Sequence, residues 1–182
     1  MSRSVSTPSE AEPEDLAADP PADPEAVARK ILLDQLSGRA RSRQELADRL
    51  AAKNVPAEVA TALLDRFEEV GLIDDAAFAR LWVADRQQRK GLAPRALSQE
   101  LRRKGVADEV VREALEQVEP DDQEAAARAL VRKKLRTLAR VDDTTAVRRL
   151  VGMLARKGYP SGMAFAVVRD EVDAAGRECG DG

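Results

Sequence analysis

The chain has 182 residues, a length that fits one or two ordinary domains or one elongated array of small units. Hydrophobic residues make up 43% of it, charged residues 35% and aromatic residues only 3%, so a core would consist mainly of Leu, Val and Ala. Histidine is absent and the single cysteine, Cys179, lies near the C-terminus. These counts exclude a histidine-based catalytic triad, a histidine–cysteine zinc site and a disulfide framework.

The first 25 residues are acidic and rich in proline. Their seven acids and one base give them a net charge of −6, against −3 for the whole chain and hence +3 for the remainder. So polar a segment buries too little apolar surface to offset the entropy of ordering, and residues 1–25 are predicted to be a disordered tail. The sequence contains no apolar signal segment and no membrane span of about 20 residues, so we expect a cytoplasmic protein.

A repeat runs through the rest of the chain. Three columns of identical residues recur with separations of 51 and then 53 residues. The columns are Leu46, Leu97 and Leu150; Leu50, Leu101 and Leu154; and Lys53, Lys104 and Lys157. The two leucines of each copy are four residues apart and would share one face of a helix, so each copy is predicted to contain a buried central helix.

Each central helix is followed by a stop signal. The stop residues and the apolar residues after them are Asn54-Val55, Gly105-Val106 and Gly158-Tyr159. Asn and Gly accept the left-handed conformation that ends a helix, and the apolar residue can pack back against the last leucine, as a Schellman stop requires. A further helix should begin at once, with Pro56 and Pro160 at its first position in two copies.

Start signals precede two of the central helices. Ser42 and Glu45 are predicted to form a capping box, in which the hydroxyl and the carboxylate each accept a backbone N–H. Pro94 lies where the second central helix would begin, a position that suits proline because the missing N–H would have no partner there.

A longer helix precedes each central helix. The middle one is predicted over residues 75–90, with Asp74 as its N-cap. Its apolar residues Phe78, Leu81 and Trp82 are expected to face the core.

Nine helices in three units account for the ordered part of the chain, and no segment has the alternating pattern of a strand. The predicted fold is all-α, an elongated tandem array of three three-helix, helix-turn-helix-like repeats with disordered termini. The predicted divisions are a tail over 1–25, repeats over 26–72, 73–120 and 121–173, and a flexible tail over 174–182.

Two segments concentrate basic residues, and we name them the 86–104 cluster and the 125–141 cluster. The basic residues of the first are Arg86, Arg89, Lys90, Arg95, Arg102, Arg103 and Lys104. The second contains six basic residues and no acid, and Arg128, Arg132, Arg136 and Arg140 recur in it every four residues. These four arginines are expected on one face of a single helix, opposite its leucines.

Such clusters are either solvated helix faces or surfaces for a partner. Like charges four residues apart repel by about 0.2–0.5 kcal/mol, and the 125–141 cluster holds no acid that would relieve the repulsion. This favours an anionic partner. The seven basic residues named for the 86–104 cluster are therefore predicted to contact phosphate backbone or an acidic protein groove, together with Arg128, Arg132, Arg136 and Arg140.

No catalytic, cofactor-binding or metal site is predicted. Asp74 and Asp75 are a carboxylate pair, but a cap and a first-turn position explain both. The segment 90–94 lacks the glycine pattern of a phosphate-binding loop, and nothing near Cys179 in sequence would activate its thiol. We therefore expect a protein that is not an enzyme and needs no cofactor.

Several motifs resemble the bacterial RecX regulatory proteins. They are Gly71-Leu72-Ile73-Asp74-Asp75-Ala76-Ala77-Phe78-Ala79 with Arg86, then Arg95-Ala96-Leu97 leading into Glu100-Leu101-Arg102-Arg103-Lys104-Gly105-Val106, and Arg41-Ser42-Arg43-Gln44-Glu45-Leu46 with Leu50. The resemblance covers residues 27–172 and is strong over 41–118. In the third unit only Leu150, Leu154 and Lys157-Gly158-Tyr159 are similar.

The resemblance implies a modulator of the RecA recombinase, with a role in DNA repair, recombination and the SOS response. RecX-like proteins are tandem three-helix repeats that lodge in the groove of the RecA–DNA filament. They generally inhibit its ATPase, strand-exchange and co-protease activities, and DNA binding has been attributed to some of them. The expected partner is therefore the RecA filament with its single-stranded DNA. We expect a monomer with weak direct DNA binding at most and no membrane association.

Two other functions remain open. The chain could be a plain DNA-binding protein that uses its units as helix-turn-helix modules, which predicts affinity for free duplex and a steep salt dependence. It could also be a generic helical-repeat adaptor, which would respond neither to DNA nor to RecA.

Overall fold

The fold is all-α, with three three-helix units in tandem, as predicted. The computed structural model describes residues 23–180, with the side chains of residues 23–119 and 121–176. Within this range there are nine α-helices, one short 3-10 helix and no strand. The first unit comprises α1 (Pro24–Gly38), α2 (Arg43–Ala51) and α3 (Ala57–Glu69). The second comprises α4 (Asp75–Lys90), α5 (Pro94–Arg103) and α6 (Asp108–Glu116), and the third α7 (Pro120–Leu135), the 3-10 helix Arg136–Leu138, α8 (Asp143–Arg156) and α9 (Ser161–Gly180).

The first helix begins inside the predicted N-terminal tail. Most of that tail, residues 1–22, lies outside the described part of the chain. The carboxylate of Asp23 accepts a 3.0 Å hydrogen bond from the N–H of Glu25, and α1 begins at Pro24 behind this cap. Residues 24 and 25 are therefore helical.

The last helix continues through most of the predicted C-terminal tail. α9 runs to Gly180, so residues 174–180 extend the third unit. Val172 packs against the third core, and the alanines at 174 and 175 are strong helix formers, so nothing ends the helix at residue 173.

Three predicted helix starts are confirmed. Ser42 Oγ accepts the N–H of Glu45 at 3.2 Å while the Glu45 carboxylate accepts the N–H of Ser42 at 3.2 Å, which completes the capping box of α2. The Asp74 carboxylate accepts the N–H of Ala77 at 2.8 Å at the start of α4. Pro94 is the first residue of α5.

Two prolines lie one position earlier than predicted. Pro56 and Pro160 precede α3 and α9 instead of beginning them. Their carbonyl oxygens accept the first helical hydrogen bonds, from the N–H groups of Ala60 and Ala164, both at 2.9 Å. The restricted φ of proline orients the chain as it enters each helix, although the helix itself starts at the next residue.

The three predicted helix stops are confirmed. The residues Asn54, Gly105 and Gly158 have φ values of 56°, 75° and 88°. After each, the next residue's N–H donates to the carbonyl of the leucine five positions earlier, at 3.2, 3.2 and 3.1 Å. This is the Schellman pattern. The positive φ that it requires explains why only Gly and Asn occupy this position in the three units.

Each unit has its own hydrophobic core. The six leucines of the repeat columns are fully buried, with 0% exposure. In every unit the first and the second helix both pack on the third, and all the extensive helix–helix contacts lie within a unit. Neighbouring units therefore meet through small joints between helix ends.

The buried face of α4 is rotated from the predicted one. Phe78 is buried and Trp82 half-buried, as expected, but Leu81 is 62% exposed and the prediction for it is wrong. Ala79 and Val83 are buried in its place. Successive residues are about 100° apart, so these four positions centre about 70° beyond Phe78 and leave Leu81 about 130° from that centre.

Candidate functional site

The first and second units meet where the end of α5 contacts the start of α2. Ser42 Oγ donates to the main-chain carbonyl of Lys104 at 2.6 Å, and Lys104 Nζ donates to Glu45 Oε1 at 2.7 Å. We call this contact the first joint. Burial acts to raise the pKa of Glu45, but the hydrogen bonds from Lys104 and from the Ser42 N–H outweigh it and lower that pKa. The ammonium of Lys104 is thus paired with a carboxylate at this joint.

The second and third units meet in the same way, where the end of α8 contacts the start of α5. The N–H of Ala93 donates to the carbonyl of Lys157 at 2.9 Å, and the Tyr159 hydroxyl donates to the carbonyl of Gly91 at 3.1 Å. Lys157 Nζ donates to the main-chain carbonyl of Lys90. We call this contact the second joint.

Two members of the 86–104 cluster enclose Trp82. The guanidinium of Arg86 lies 3.9 Å from the centre of the indole, and the ammonium of Lys104 lies 4.2 Å from it. Glu100 accepts hydrogen bonds from Trp82 Nε1 at 2.9 Å and from Arg86 Nε at 3.2 Å. Both cations are therefore engaged within the fold, each by a cation–π contact and by a carboxylate, Glu100 for Arg86 and Glu45 for Lys104.

The remaining members of the 86–104 cluster lie on the surface. Arg89 pairs with Asp85 and Arg102 with Asp108, each at 2.6 Å. Such exposed pairs contribute about 0–1 kcal/mol, so a partner can replace the carboxylate. The exposed members that form no ion pair among the described residues are Lys90, Arg95 and Arg103.

The arginines of α7 are neutralised by α9. Arg128 pairs with Glu124 at 2.8 Å, with Asp170 at 3.1 Å and with Glu171 at 3.3 Å. Arg132 Nε donates to the same Glu171 at 2.6 Å. The repulsion left unrelieved by the local sequence is thus relieved by carboxylates about forty residues away.

Glu171 is the acidic centre of this contact. Its side chain is 7% exposed and lies between two guanidinium groups. The hydrogen bond from Arg132 lowers the pKa of Glu171, burial opposes that effect, and the hydrogen bond from Arg128 reinforces it. The α7 arginines therefore hold α9 against the unit.

The predicted single face of four arginines is wrong. α7 ends at Leu135, Arg136 belongs to the 3-10 helix, and Arg140 lies beyond it. The tighter 3-10 turn places Leu138 in the third core, where it is 7% exposed. Because the helical geometry changes there, the four arginines no longer follow one another along one α-helical face. The exposed basic residues of the cluster that form no ion pair in the described chain are Lys133, Lys134, Arg136 and Arg140.

Known proteins match this chain over most of its length. Three family models match, described as RecX, first three-helix domain, over residues 28–67, RecX, second three-helix domain, over 74–115, and RecX, third three-helix domain, over 121–168. Regulatory protein RecX of Streptomyces lividans is 48% identical over 160 residues, which are 88% of this chain and 85% of that protein. Regulatory protein RecX of Amycolatopsis mediterranei is 45% identical over 159 residues, 87% of this chain and 91% of that protein.

The chain belongs to the RecX family.

Solved RecX structures share its fold. A crystal structure of a regulatory protein RecX is 27% identical, with a TM-score of 0.73 over 82% of this chain and 73% of that one. The crystal structure of RecX from Lactobacillus salivarius is 19% identical, with the same TM-score of 0.73 over 82% and 97% of the two chains. The RecX match also includes the third unit, where the motif resemblance is weakest.

Asp74 and Asp75 have structural positions in this RecX-family chain. Asp74 caps α4, and Asp75 Oδ1 accepts the N–H of Arg43 at 2.8 Å across the first two units. Burial raises the pKa of Asp75, and the hydrogen bond from Arg43 only partly offsets it. Within residues 23–180, no group of three or more His, Cys, Asp or Glu is placed to hold a metal, and no helix is long and apolar enough to cross a membrane.

The local sequence did not indicate two sets of charged residues at the contacts described above. Asp170 and Glu171 were not predicted, because α9 has no charge pattern that marks it as the partner of α7. Arg156 and Lys157, at the second joint, lie outside both predicted clusters. The repeat was the signal for Lys157, since it shares a column with Lys104.

Proposed function

We propose that this RecX-family chain is a cytoplasmic, non-enzymatic regulator that binds the RecA–DNA filament and inhibits its ATPase, strand-exchange and co-protease activities. The observation that carries the proposal is the family match over all three units, together with relatives named Regulatory protein RecX. The architecture supports it, because a row of small units joined at helix ends can follow a helical groove.

The proposed contact surface is the exposed and unpaired part of the two clusters. Its members are Lys90, Arg95, Arg103, Lys133, Lys134, Arg136 and Arg140. The exposed ion pairs of Arg89 and Arg102 allow both to join it. The cluster members proposed to stabilise the fold instead are Arg86, Lys104, Arg128 and Arg132. Releasing these would leave largely buried carboxylates without a cation, which is unfavourable.

The charge of the third helices argues against duplex reading by helix-turn-helix units. In such units the third helix enters the major groove. The corresponding helices α3 and α6 each contain four acids and one base, for a net charge of −3. Acidic helices would be repelled by duplex phosphates, so the filament function is favoured over this alternative.

Hydrolysis of ATP by RecA on single-stranded DNA tests the proposal. The wild-type chain should lower the rate when it is sub-stoichiometric to RecA. A chain with both Arg136→Glu and Arg140→Glu should need a concentration about tenfold higher for the same inhibition, since both charges face solvent and reversing them weakens association.

The matched control carries Arg49→Glu and Arg66→Glu, two exposed arginines outside the clusters that form no ion pair among the described residues. It should inhibit like the wild type, and far-UV circular dichroism should be the same for all three chains. A wild-type chain that leaves hydrolysis unchanged at equimolar RecA would contradict the function. Equal losses in the two double variants would contradict the contact surface.

A further inference from the structure

The two joints share a backbone arrangement but differ in charge. At the first joint the ammonium of Lys104 pairs with Glu45 at 2.7 Å. The repeat aligns Lys157 with Lys104 and Ala96 with Glu45, so a methyl group stands where the first joint has a carboxylate. Lys157 Nζ donates instead to the main-chain carbonyl of Lys90, a residue that is itself cationic. The second joint therefore has positive charge that the first joint neutralises.

Further cations lie at the second joint. Lys90, Arg95 and Arg156 are exposed there, and Arg95 and Arg156 line one cleft of about 340 Å³ together with Gln99. None of these cations, nor Lys157, forms an ion pair within the described chain. Burial and the charge of Lys90 lower the pKa of Lys157, as expected where positive charge is not compensated. The joint is thus suited to an anion with several charges.

An exposed aromatic residue lies one helical turn beyond a residue that lines this cleft. Ser161, the first residue of α9, lines the cleft, and Phe165 follows it by four residues, so both lie on one side of the helix. The side chain of Phe165 is 57% exposed, whereas Phe67 and Phe78 are each 4% exposed. A cationic groove beside an exposed ring is the combination that binds single-stranded nucleic acid, because bases stack on the ring while cations contact the phosphates.

We propose that the second joint binds single-stranded DNA, with Lys90, Arg95, Arg156 and Lys157 contacting successive phosphates and Phe165 stacking on a base. Guanidinium groups bind phosphate oxygens through two parallel hydrogen bonds, which suits the two arginines of the cleft. An acidic peptide would satisfy the cations but would leave the ring without a stacking partner. This site adds a ligand to the proposed function. It rests on that function only in taking the bound strand to be the single-stranded DNA of a RecA filament.

Fluorescence anisotropy of a fluorescein-labelled oligothymidylate of about 20 nucleotides tests the site without RecA. Ala96→Glu introduces at the second joint the carboxylate that Glu45 provides at the first. Ala96→Gln is the uncharged control of the same size. At about 0.05 M NaCl, Ala96→Glu should weaken binding about fivefold relative to Ala96→Gln. It should also reduce the salt slope of log K by about 0.7 for each phosphate that the joint no longer neutralises.

Two exposed-residue variants keep the test independent of packing at Ala96. Arg95→Gln combined with Arg156→Gln should reproduce the weaker binding and the shallower slope, since both side chains are exposed. Phe165→Ala should weaken binding about fivefold or more with an unchanged slope, because stacking involves no phosphate. Leu81→Ala, at another exposed apolar residue, is its control and should bind like the wild type.

Several outcomes would overturn the site. Equal affinity and equal salt slope in the two Ala96 variants, with no effect of the double arginine variant, would contradict the proposed phosphate contacts. Full affinity in Phe165→Ala would remove the stacked base, and tighter binding to a duplex of the same length would contradict a single strand. Should Ala96→Glu weaken RecA inhibition while DNA affinity is unchanged, the joint would bind protein instead. Failure of the proposed function is separate, since it appears only in the RecA assay.

Discussion

The hydroxyl of Ser42 donates a 2.6 Å hydrogen bond to the main-chain carbonyl of Lys104, 62 residues further along the chain. The same oxygen accepts the N–H of Glu45 at 3.2 Å, and the Ser42 residue is fully buried. Lys104 is the C-cap residue that follows α5, and carbonyls at this end of a helix have no partner within the helix. The Ser42 side chain therefore caps the start of α2 and also provides a hydrogen-bond partner for a carbonyl at the end of α5 in the next unit.

Ser42→Ala should destabilise the chain by about 1–2 kcal/mol, and more if the Lys104 carbonyl stays without a partner. Urea unfolding followed by circular dichroism measures the change. Ser37→Ala is the matched control, because the Ser37 hydroxyl is exposed and donates only to the nearby Asp34 carbonyl. Its effect should stay within about 0.5 kcal/mol, and equal effects in the two variants would refute the double role of Ser42.

Gly158→Ala should destabilise the third unit and the second joint by at least about 2 kcal/mol. Gly158 has a φ of 88°, and a Cβ atom there would lie 2.6 Å from the backbone nitrogen of Ala96, which cannot move aside. Gly162→Ala is the control, since nothing lies within 4 Å of a Cβ at that helical position. The control should be neutral or more stable by about 0.5–1 kcal/mol, and thermal unfolding compares the two.

Glu171→Gln should destabilise the contact between α7 and α9 by about 1–3 kcal/mol, because it removes the buried charge that Arg128 and Arg132 share. Asp170→Asn should cost less, since the Asp170 side chain is 52% exposed and has one ion pair, to Arg128. Urea unfolding at neutral pH ranks the two variants. A larger loss for Asp170→Asn would show that Glu171 is not the centre of the contact.

The stability of the chain should fall in acid partly through Glu171. Its pKa is lowered in the folded state, so its stabilising effect is complete above the unfolded glutamate pKa of about 4.3 and is lost as the pH falls through the folded value. The urea midpoint of the wild type should therefore drop as the pH falls below about 5, and that of Glu171→Gln should drop less. Parallel curves for the two chains would contradict the lowered pKa.

Features with a local cause were predictable residue by residue. The start of α4 behind Asp74 and the stop at Gly105 follow from backbone groups that find partners within a few residues. The rotation of the α4 face that exposes Leu81 was not predictable in the same way. It depends on which helices pack against α4, and a short apolar pattern fits two neighbouring rotations almost equally well.

The candidate site was likewise predictable only in part. The concentration of basic residues was evident from counting, but their availability was not. Arg128 lies in a basic segment yet has three carboxylate partners, while Lys157 lies outside both clusters and has none among the described residues. Charges are compensated through space, and the carboxylates that compensate Arg128 include two from another helix of the unit.

The sequence by itself determined the helical class, the three repeated units, their caps and stops, and the RecX resemblance, because each depends on residue type at short spacing. Only the tertiary structure decided how units join and which cations are paired. Lys104 and Lys157 are identical in the repeat, yet Glu45 neutralises the first while Ala96 leaves the second uncompensated. That difference arises between residues about sixty positions apart in the chain, where contact depends on packing of the whole chain.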